Sequence, residues 1–359
     1  VRIVTHCRIV DARVSAYCRK LVRPLVTSAG SLAERRGFLL RLDDVDGFAG
    51  YGEASPVWWA GGESLAATQA ELTRLCSAVR APGFDWEAHA ATCPPAVAAA
   101  LGCAVLDLTA RRHDTSVARA INPEAAAVVE TNALATAENL TALAEETERA
   151  LAQGFRSLKL KVGAGALEND LAKLRAIRTV TRGRLMLRLD ANQAWDLETA
   201  RRFCSSVADA DIDYVEEPLR TGSPTELAAL RTSASVRIAL DESVSTLPDL
   251  ERYAQAGSCD VVVLKLARIG TPHSLVELAA RASNARMQVT VTDSLESEIG
   301  QRIAVHMAAA IRTASATGLA GRALLADGEP QVRSQPYVEV AGPGLGLSDR
   351  AIARAWDGP

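Results

Sequence analysis

Residues 185–192 read Leu185-Met-Leu-Arg-Leu-Asp190-Ala-Asn192, a short apolar run that stops on a carboxylate. A run this short fits a buried strand, and the stretches beside it, Glu168–Val180 and Leu197–Ala208, have the wider apolar spacing of amphipathic helices. The phrase repeats. Further runs lie at Ser157–Val162, Asp213–Val215, Val236–Leu240, Asp260–Leu264 and Gln288–Thr292, with helical stretches such as Ser274–Asn284 between them. The chemically loaded residue after each run is Lys161, Asp190, Glu216, Asp241, Lys265 or Asp293. These positions stand 24 to 29 residues apart, close to one βα unit each. A run at Ala127–Val129 precedes them and another near Ala314–Leu319 follows, so about eight units predict a parallel (β/α)₈ barrel or one slightly short of it. No Gly-x-Gly-x-x-Gly opens these helices, which disfavours a dinucleotide fold.

The flanks differ. Residues 1 to about 125 have β-like segments at Arg2–Val10 and Gly37–Leu42, a turn around Asp43–Gly47 and a hairpin return at Gly50–Glu53. Ala96–Arg111 reads as a helix with an apolar face wide enough to be buried between layers. The portion is α+β. The tail, from about Ala326, is rich in Gly and Pro, includes a candidate strand at Tyr337–Val340, and is expected to return to the first domain.

Composition removes several function classes. A net charge of −3 gives no general electrostatic grip on nucleic acid or anionic lipid. No apolar run approaches the ~18 residues of a membrane helix, and Val1–Val4 lacks the plan of a signal peptide. Cys7, Cys18, Cys76, Cys93, Cys103, Cys204 and Cys259 are scattered, without a Cys-x-x-Cys pair, and read as core thiols of a reducing cytoplasm. The histidines are equally dispersed, so a histidine-based metal site is not expected. Oligomeric state, homo-oligomer included, is left open.

At the C-terminal ends of parallel barrel strands, polar side chains point into one mouth. Three successive strands deliver Asp190, Glu216 and Asp241 there. A lone acid after a strand ordinarily caps a helix, but three at equivalent repeats would repel unless a cation lay among them. An all-oxygen set suits Mg²⁺, with Mn²⁺ as a substitute. Only five of the 40 basic residues are lysines, and Lys159, Lys161 and Lys265 fall on the strands flanking the acids. Lys20 and Lys173 have no such placement. Arg can supply a fixed charge but cannot give up its proton, whereas a buried Lys can. Near a divalent cation the lysine pKa values are expected to fall toward neutrality, which makes bases of them.

Taken together, Lys159-x-Lys161, Asp190-Ala-Asn192, Glu216-Glu-Pro218, Asp241-Glu-Ser243 and Lys265 followed by Gly270 resemble the enolase superfamily, in its muconate lactonizing enzyme subgroup. The resemblance implies a modified (β/α)₇β barrel over residues 126–325. It implies an α+β capping domain over 1–125, joined by the returning segment 326–359. It makes Asp190, Glu216 and Asp241 the Mg²⁺ ligands, with Asn192, Glu217 and Glu242 supporting them. Lys161 becomes the acid/base, Lys159 its electrostatic support and Lys265 the opposing lysine. The implied chemistry is removal of a proton α to a carboxylate of a small-molecule substrate, through an enediolate.

Within that subgroup, Arg23-Pro24-Leu25, Thr27-Ser28-Ala29-Gly30, Arg35-Arg36-Gly37-Phe38, Gly50–Pro56, Asn132-Ala133-Leu134 and Ser294–Ser297 followed by Ile299-Gly300 are similar to o-succinylbenzoate synthases of menaquinone biosynthesis. That likeness implies a syn dehydration in which Lys161 takes the α-proton and then protonates the departing hydroxyl. It adds Ser294, Asp293, Asn132, Thr27 and Ser28 as substrate contacts. Departures are Asp293, Thr271 and the bulky pair Trp58-Trp59, whose plain reading is packing of the cap. The alternatives are a dipeptide epimerase or N-acylamino acid racemase, and a muconate cycloisomerase. Thr317–Arg322 lacks the Asp-x-Asp typical of the dipeptide epimerases. A non-catalytic binding protein is the remaining option, disfavoured because all six metal and lysine positions are intact.

Overall fold

The computed structural model describes residues 7–27, 30–58, 62–208, 211–326 and 335–357. Strands β1 (Ile9–Thr27), β2 (Gly30–Asp44) and β3 (Ala49–Ala54) form an antiparallel meander. Both long strands extend beyond the apolar runs that announced them. Their ladder continues past Lys20↔Glu34, through a register shift, to Thr27↔Gly30. Of the expected strand Arg2–Val10, residues 2–6 lie outside the described residues.

Helices α1 (Leu65–Val79), α2 (Trp86–Ala90), α3 (Pro95–Arg112) and α4 (Val117–Ile121) follow. The alanines of α3 exist because a sheet lies against them. A Cβ at Gly50 would stand 2.1 Å from the Ala104 carbonyl oxygen, and one at Gly52 2.0 Å from that of Ala100. Glycine on the strand and alanine on the helix let the two backbones touch.

The barrel strands are β5 (Ala133–Ala135), β6 (Ser157–Lys161), β7 (Met186–Asp190), β8 (Ile212–Glu216), β9 (Ile238–Leu240), β10 (Val261–Leu264) and β11 (Gln288–Val291), parallel and adjacent in chain order. Between them run α5 (Leu140–Ala152), α6 (Leu167–Thr181), α7 (Leu197–Ser206), α8 (Pro224–Ser233), α9 (Leu247–Ala256), and α10 (Leu266–Ile269) with α11 (Pro272–Asn284). Helix α12 (Glu298–Ile311) follows the last strand.

Two units depart from the expected rhythm. The run Ala127–Val129 does not open the barrel: β4 (Val128–Glu130) pairs antiparallel with β12 (Tyr337–Glu339) of the tail, and the barrel begins at β5. The stretch near Ala314–Leu319 is not a full strand. Thr317 bridges Thr131, before β5, and Gly318 bridges Thr292, after β11, so one short segment joins both edges of the sheet. Its backbone bonds to Glu130, Asn132, Val291 and Asp293 span 2.8–3.1 Å. A Cβ on Gly318 would meet the Thr292 side chain at 2.9 Å, so this closure needs glycine.

The tail then reaches the meander through α13 (Asp349–Asp357). Ser15 Oγ donates to the Trp356 carbonyl at 2.9 Å, and the Trp356 ring meets Tyr51 edge-on, centroids 6.3 Å apart.

Candidate active site

Strand periodicity builds this site in layers. Side chains two apart on a strand share a face. Tyr214, Ala239 and Val263 belong to one small buried cluster, and two residues beyond each comes Glu216, Asp241 or Lys265. Arg188 fills the equivalent place beneath Asp190, with its guanidinium 5.0 Å from the centre of the Tyr214 ring. A packed floor therefore lies below the polar layer. In that layer Lys161, Asp190 and Glu216 are direct partners across β6, β7 and β8.

The polar groups interlock. Lys159 Nζ lies 2.9 Å from Asp190 Oδ2 and 2.7 Å from Glu216 Oε2. Lys161 Nζ is 3.3 Å from Asp190 Oδ2 and also donates to the amide oxygen of Asn192. Lys265 Nζ is bound closely to Asp241 Oδ2, while Asp241 Oδ1 is buried without a hydrogen-bond partner among the described residues. Glu217 holds the loop that carries Asp241, accepting from the backbone N–H of Asp241 and of Ser243, each at 2.8 Å, and from the Ser243 hydroxyl at 2.9 Å. Glu242 accepts from the Asn192 amide at 3.2 Å.

Backbone strain gathers at the same rim. Asn192, Gln193, Glu217 and Leu295, each just past a barrel strand, have φ between 42° and 64°. Such conformations are costly for non-glycine residues and cluster where a site over-determines them.

The five carboxylates outnumber the three ammonium groups by two, and the titration of the site reflects it. Burial, then the neighbouring Asp190 and Asp241 carboxylates, pushes Glu216 up to about 8. Burial and Glu242 push Glu217 up to about 7. Burial works against the charge on Asp190, yet the Lys159 and Lys161 ammonium groups outweigh it and hold that carboxyl far below its usual range. Burial likewise opposes the charges on Lys159 and Lys265, and the surrounding carboxylates again win, raising both lysines. This runs opposite to the fall expected from the sequence, which assumed a divalent cation sharing the same carboxylates.

Beside the layer is a cavity of about 1080 Å³, lined by Lys161, Leu160, Thr136, Asn169, Arg23 and Leu324 among others. Lys161 is the one member of the polar layer in its wall; Asp190, Glu216, Asp241 and Lys265 are not among the lining residues. The cavity is large enough for a small-molecule substrate.

The profile of the family described as "Enolase C-terminal domain-like" matches residues 142–350, more than half of the chain. The chain belongs to the enolase superfamily. The muconate lactonizing enzyme subgroup fits it, and it is an enzyme of that superfamily, whose related members are epimerases, lyases and cycloisomerases. It is similar to the D-Ala-D/L-Ala epimerase of Cytophaga hutchinsonii, 27% identical over 82% of both chains. It is also similar to the o-succinylbenzoate synthase of Thermosynechococcus vestitus, 31% identical over 81% of this chain and 86% of that protein. Among solved structures, the dipeptide epimerase of Enterococcus faecalis V583, complexed with Mg and the dipeptide L-Leu-L-Tyr, superposes with a TM-score of 0.88. That match is 25% identical and covers 95% of this chain and 99% of that one.

Of the residues singled out in the sequence of this superfamily member, Lys159, Lys161, Lys265, Asp190, Glu216, Asp241, Asn192, Glu217 and Glu242 come together. Asn132 does not join them. It is 2% exposed, with its amide oxygen accepting from Arg188 at 3.3 Å and its amide nitrogen donating to the Ala133 carbonyl at 2.9 Å, so both polar ends are engaged with the barrel. Ser294 is buried at the end of β11, its hydroxyl without a partner among the described residues. Asp293 accepts from the backbone N–H groups of Leu295 and Gly321, both at 3.2 Å, tying β11 to the segment after the closure. Thr27 ends β1, but its side chain, like Ser28 and Trp59, lies outside the described residues. Trp58 lies under the Arg35 guanidinium at 5.4 Å, in keeping with its plain packing reading.

Sequence reasoning missed the buried charges that join cap to barrel. Arg35 is fully buried and donates to the Ser294 carbonyl at 3.1 Å and the Ser55 carbonyl at 2.7 Å. Glu53 accepts from the N–H groups of Ser297 at 3.0 Å and Gly300 at 2.9 Å, so a capping strand supplies the anion at the N-terminus of α12. The Arg35–Phe38 and Gly50–Pro56 motifs marked both segments but gave no hint of these partners. No helix among the described residues is long and apolar enough to cross a membrane.

Proposed function

We propose that this enzyme dehydrates a cyclic hydroxy acid to o-succinylbenzoate, with Mg²⁺ held by Asp190, Glu216 and Asp241. The donor set fits the ion. It is all carboxylate oxygen, it lies in a cluster whose five carboxylates formally exceed its three ammonium groups by two, and the buried Asp241 Oδ1 is left free to bind. When bound, Mg²⁺ would stabilise the negative charge that develops on the substrate carboxylate as its α-proton leaves.

The observation that carries the reading is the inequality of the two lysines. Lys161 lines the cavity and meets Asp190 only at 3.3 Å, whereas Lys265 is clamped to Asp241. Lys161 takes the α-proton and returns it to the hydroxyl leaving from the same face. Lys265 holds a positive charge opposite. Lys159 bridges Asp190 and Glu216 and favours the ionised form of each. Asn192 fixes Lys161, and Glu217 and Glu242 brace the ligand loops. Asp293 and Ser294 would address the distal end of the substrate. The catalytic barrel runs from β5 to the closure at Thr317–Gly318, within the expected 126–325, and β1–β3, α1–α4 and α13 belong to its cap.

A second reading, epimerisation of a dipeptide, is favoured by one observation: lysines flank the triad from both sides, and relatives such as the Cytophaga hutchinsonii protein are epimerases. One experiment separates the two. Mg²⁺-loaded protein is incubated in D₂O with the hydroxy acid precursor and with a panel of dipeptides. The proposal expects formation of o-succinylbenzoate and no deuterium at dipeptide α-carbons. Deuterated dipeptides without dehydration would overturn it.

A further inference from the structure

Away from the barrel mouth, α1 and the turn from α2 into α3 assemble three metal-binding donor types. Glu71 on α1, His89 on α2 and Cys93 just beyond it each present a ligand atom, all within 4.8 Å of one another. Glu71 Oε1 is 3.7 Å from Cys93 Sγ and 3.9 Å from His89 Nε2. Bonds of about 2.0–2.3 Å to oxygen, nitrogen and sulfur give a tetrahedral zinc site ligand-to-ligand edges of about 3.4–3.6 Å. The cluster is within a few tenths of an ångström of that on the two measured edges.

We propose that Glu71, His89 and Cys93 form a second metal site, for Zn²⁺, with water in the fourth position.

Three further features support it. His89 Nε2 is buried and has no hydrogen-bond partner among the described residues, so the ring nitrogen facing Glu71 is free to ligate. The side chains of Glu71 and His89 keep only 12% and 21% of their surface exposed, which shields the donors while leaving an ion a way in. The scaffold is also fixed. Asp85 caps α2 through the N–H groups of Glu87 and Ala88, the Phe84 ring packs on His89 with centroids 5.6 Å apart, and Cys93 N donates to the Ala90 carbonyl at 3.2 Å. Arg74 takes the other oxygen, Glu71 Oε2, leaving Oε1 directed at His89 and Cys93.

Imidazole and thiolate select a borderline ion, whereas the all-oxygen triad selects a hard one, so the two sites need not compete. On binding, the Cys93 S–H bond is replaced by S–Zn and the proton leaves to solvent. The ion would staple α1 to the α2–α3 corner of the cap, closing a loop between residues 22 apart. No paired-cysteine or His-x-x-x-His spacing announces this site. His89 and Cys93 stand four apart across the end of a short helix, and Glu71 comes from another element.

The test titrates Co²⁺ into full-length protein stripped of metal and then given excess Mg²⁺. A thiolate-to-cobalt charge-transfer band in the near ultraviolet is expected to saturate at stoichiometric Co²⁺ and to be displaced by Zn²⁺. It should persist in Asp190→Asn and vanish in Cys93→Ser. His89→Gln, which keeps the thiol, should weaken Co²⁺ binding at least about tenfold. Zn²⁺ should raise the thermal midpoint of wild type and Asp190→Asn but not of Cys93→Ser. Absence of the band in wild type, its survival in Cys93→Ser, or unchanged affinity in His89→Gln would each overturn the assignment. None of these outcomes bears on the dehydration.

Discussion

Lys161 and Asp190 are register partners on adjacent parallel strands, and their side chains meet at 3.3 Å where both strands end. A base and a carboxylate delivered to the same level by neighbouring strands form a site whose geometry is set by backbone hydrogen bonds. Such a pair is positioned by the most rigid part of the fold.

Metal removal follows directly. Chelation should abolish turnover, and Mg²⁺ should restore it. Because Mg²⁺ binds the folded triad, it should also raise the thermal midpoint, by mass action. In Asp241→Asn that rise should shrink sharply while the metal-free midpoint stays the same or increases, since one of the crowded buried carboxylates is gone. Differential scanning fluorimetry over a Mg²⁺ series checks this, and an equal rise in wild type and variant would remove Asp241 from the ligand set.

Glu296 predicts a pH dependence. It is buried at the end of β11, and burial, Asp293 and Glu53 push it up to about 8 against the opposing effect of Arg35. A carboxyl raised in the folded state stabilises the fold below its unfolded pKa, about 4.3. That contribution disappears as pH rises toward 8. Glu296→Gln keeps an acceptor for the Ser294 N–H and cannot ionise. Its stability should therefore decline less than that of wild type between about pH 4.3 and 8. Denaturant titrations across that window measure the difference, and parallel profiles would contradict the assignment.

Gly52→Ala probes the seam between cap sheet and helix. The new Cβ would lie 2.0 Å from the Ala100 carbonyl oxygen, and backbone cannot swing aside like a side chain. Overpacking of this kind costs about 1–3 kcal/mol. The midpoint should fall by a few degrees, with KM altered less than stability.

How much of this was legible depended on where the partners lay. The barrel was readable because each strand carried its own signal, an apolar run followed by a loaded residue, and the site was readable because those residues are chemically unusual at that spacing. β4 misled because Val128-Val129 resembles any buried strand, while the partner that takes it out of the barrel, β12, is some 200 residues away. The closure at Thr317–Gly318 consists of bridges too short to impose strand periodicity. Arg35 and Glu53 lie in motifs that mark their segments, but their partners are 259 and 244 residues distant and nothing local names them. The second cluster, Glu71 with His89 and Cys93, was hidden for the same reason.

In the proposed dehydration Lys161 moves the proton and Lys265 only holds a charge. Single-turnover dehydration by Lys161→Arg and Lys265→Arg, each loaded with Mg²⁺, tests it most directly. Arginine keeps the charge and cannot act as a base. Lys161→Arg should lose about 10²–10⁴-fold in rate, while Lys265→Arg retains measurable dehydration. Wild-type rates in Lys161→Arg, or equal loss in both variants, would contradict the account.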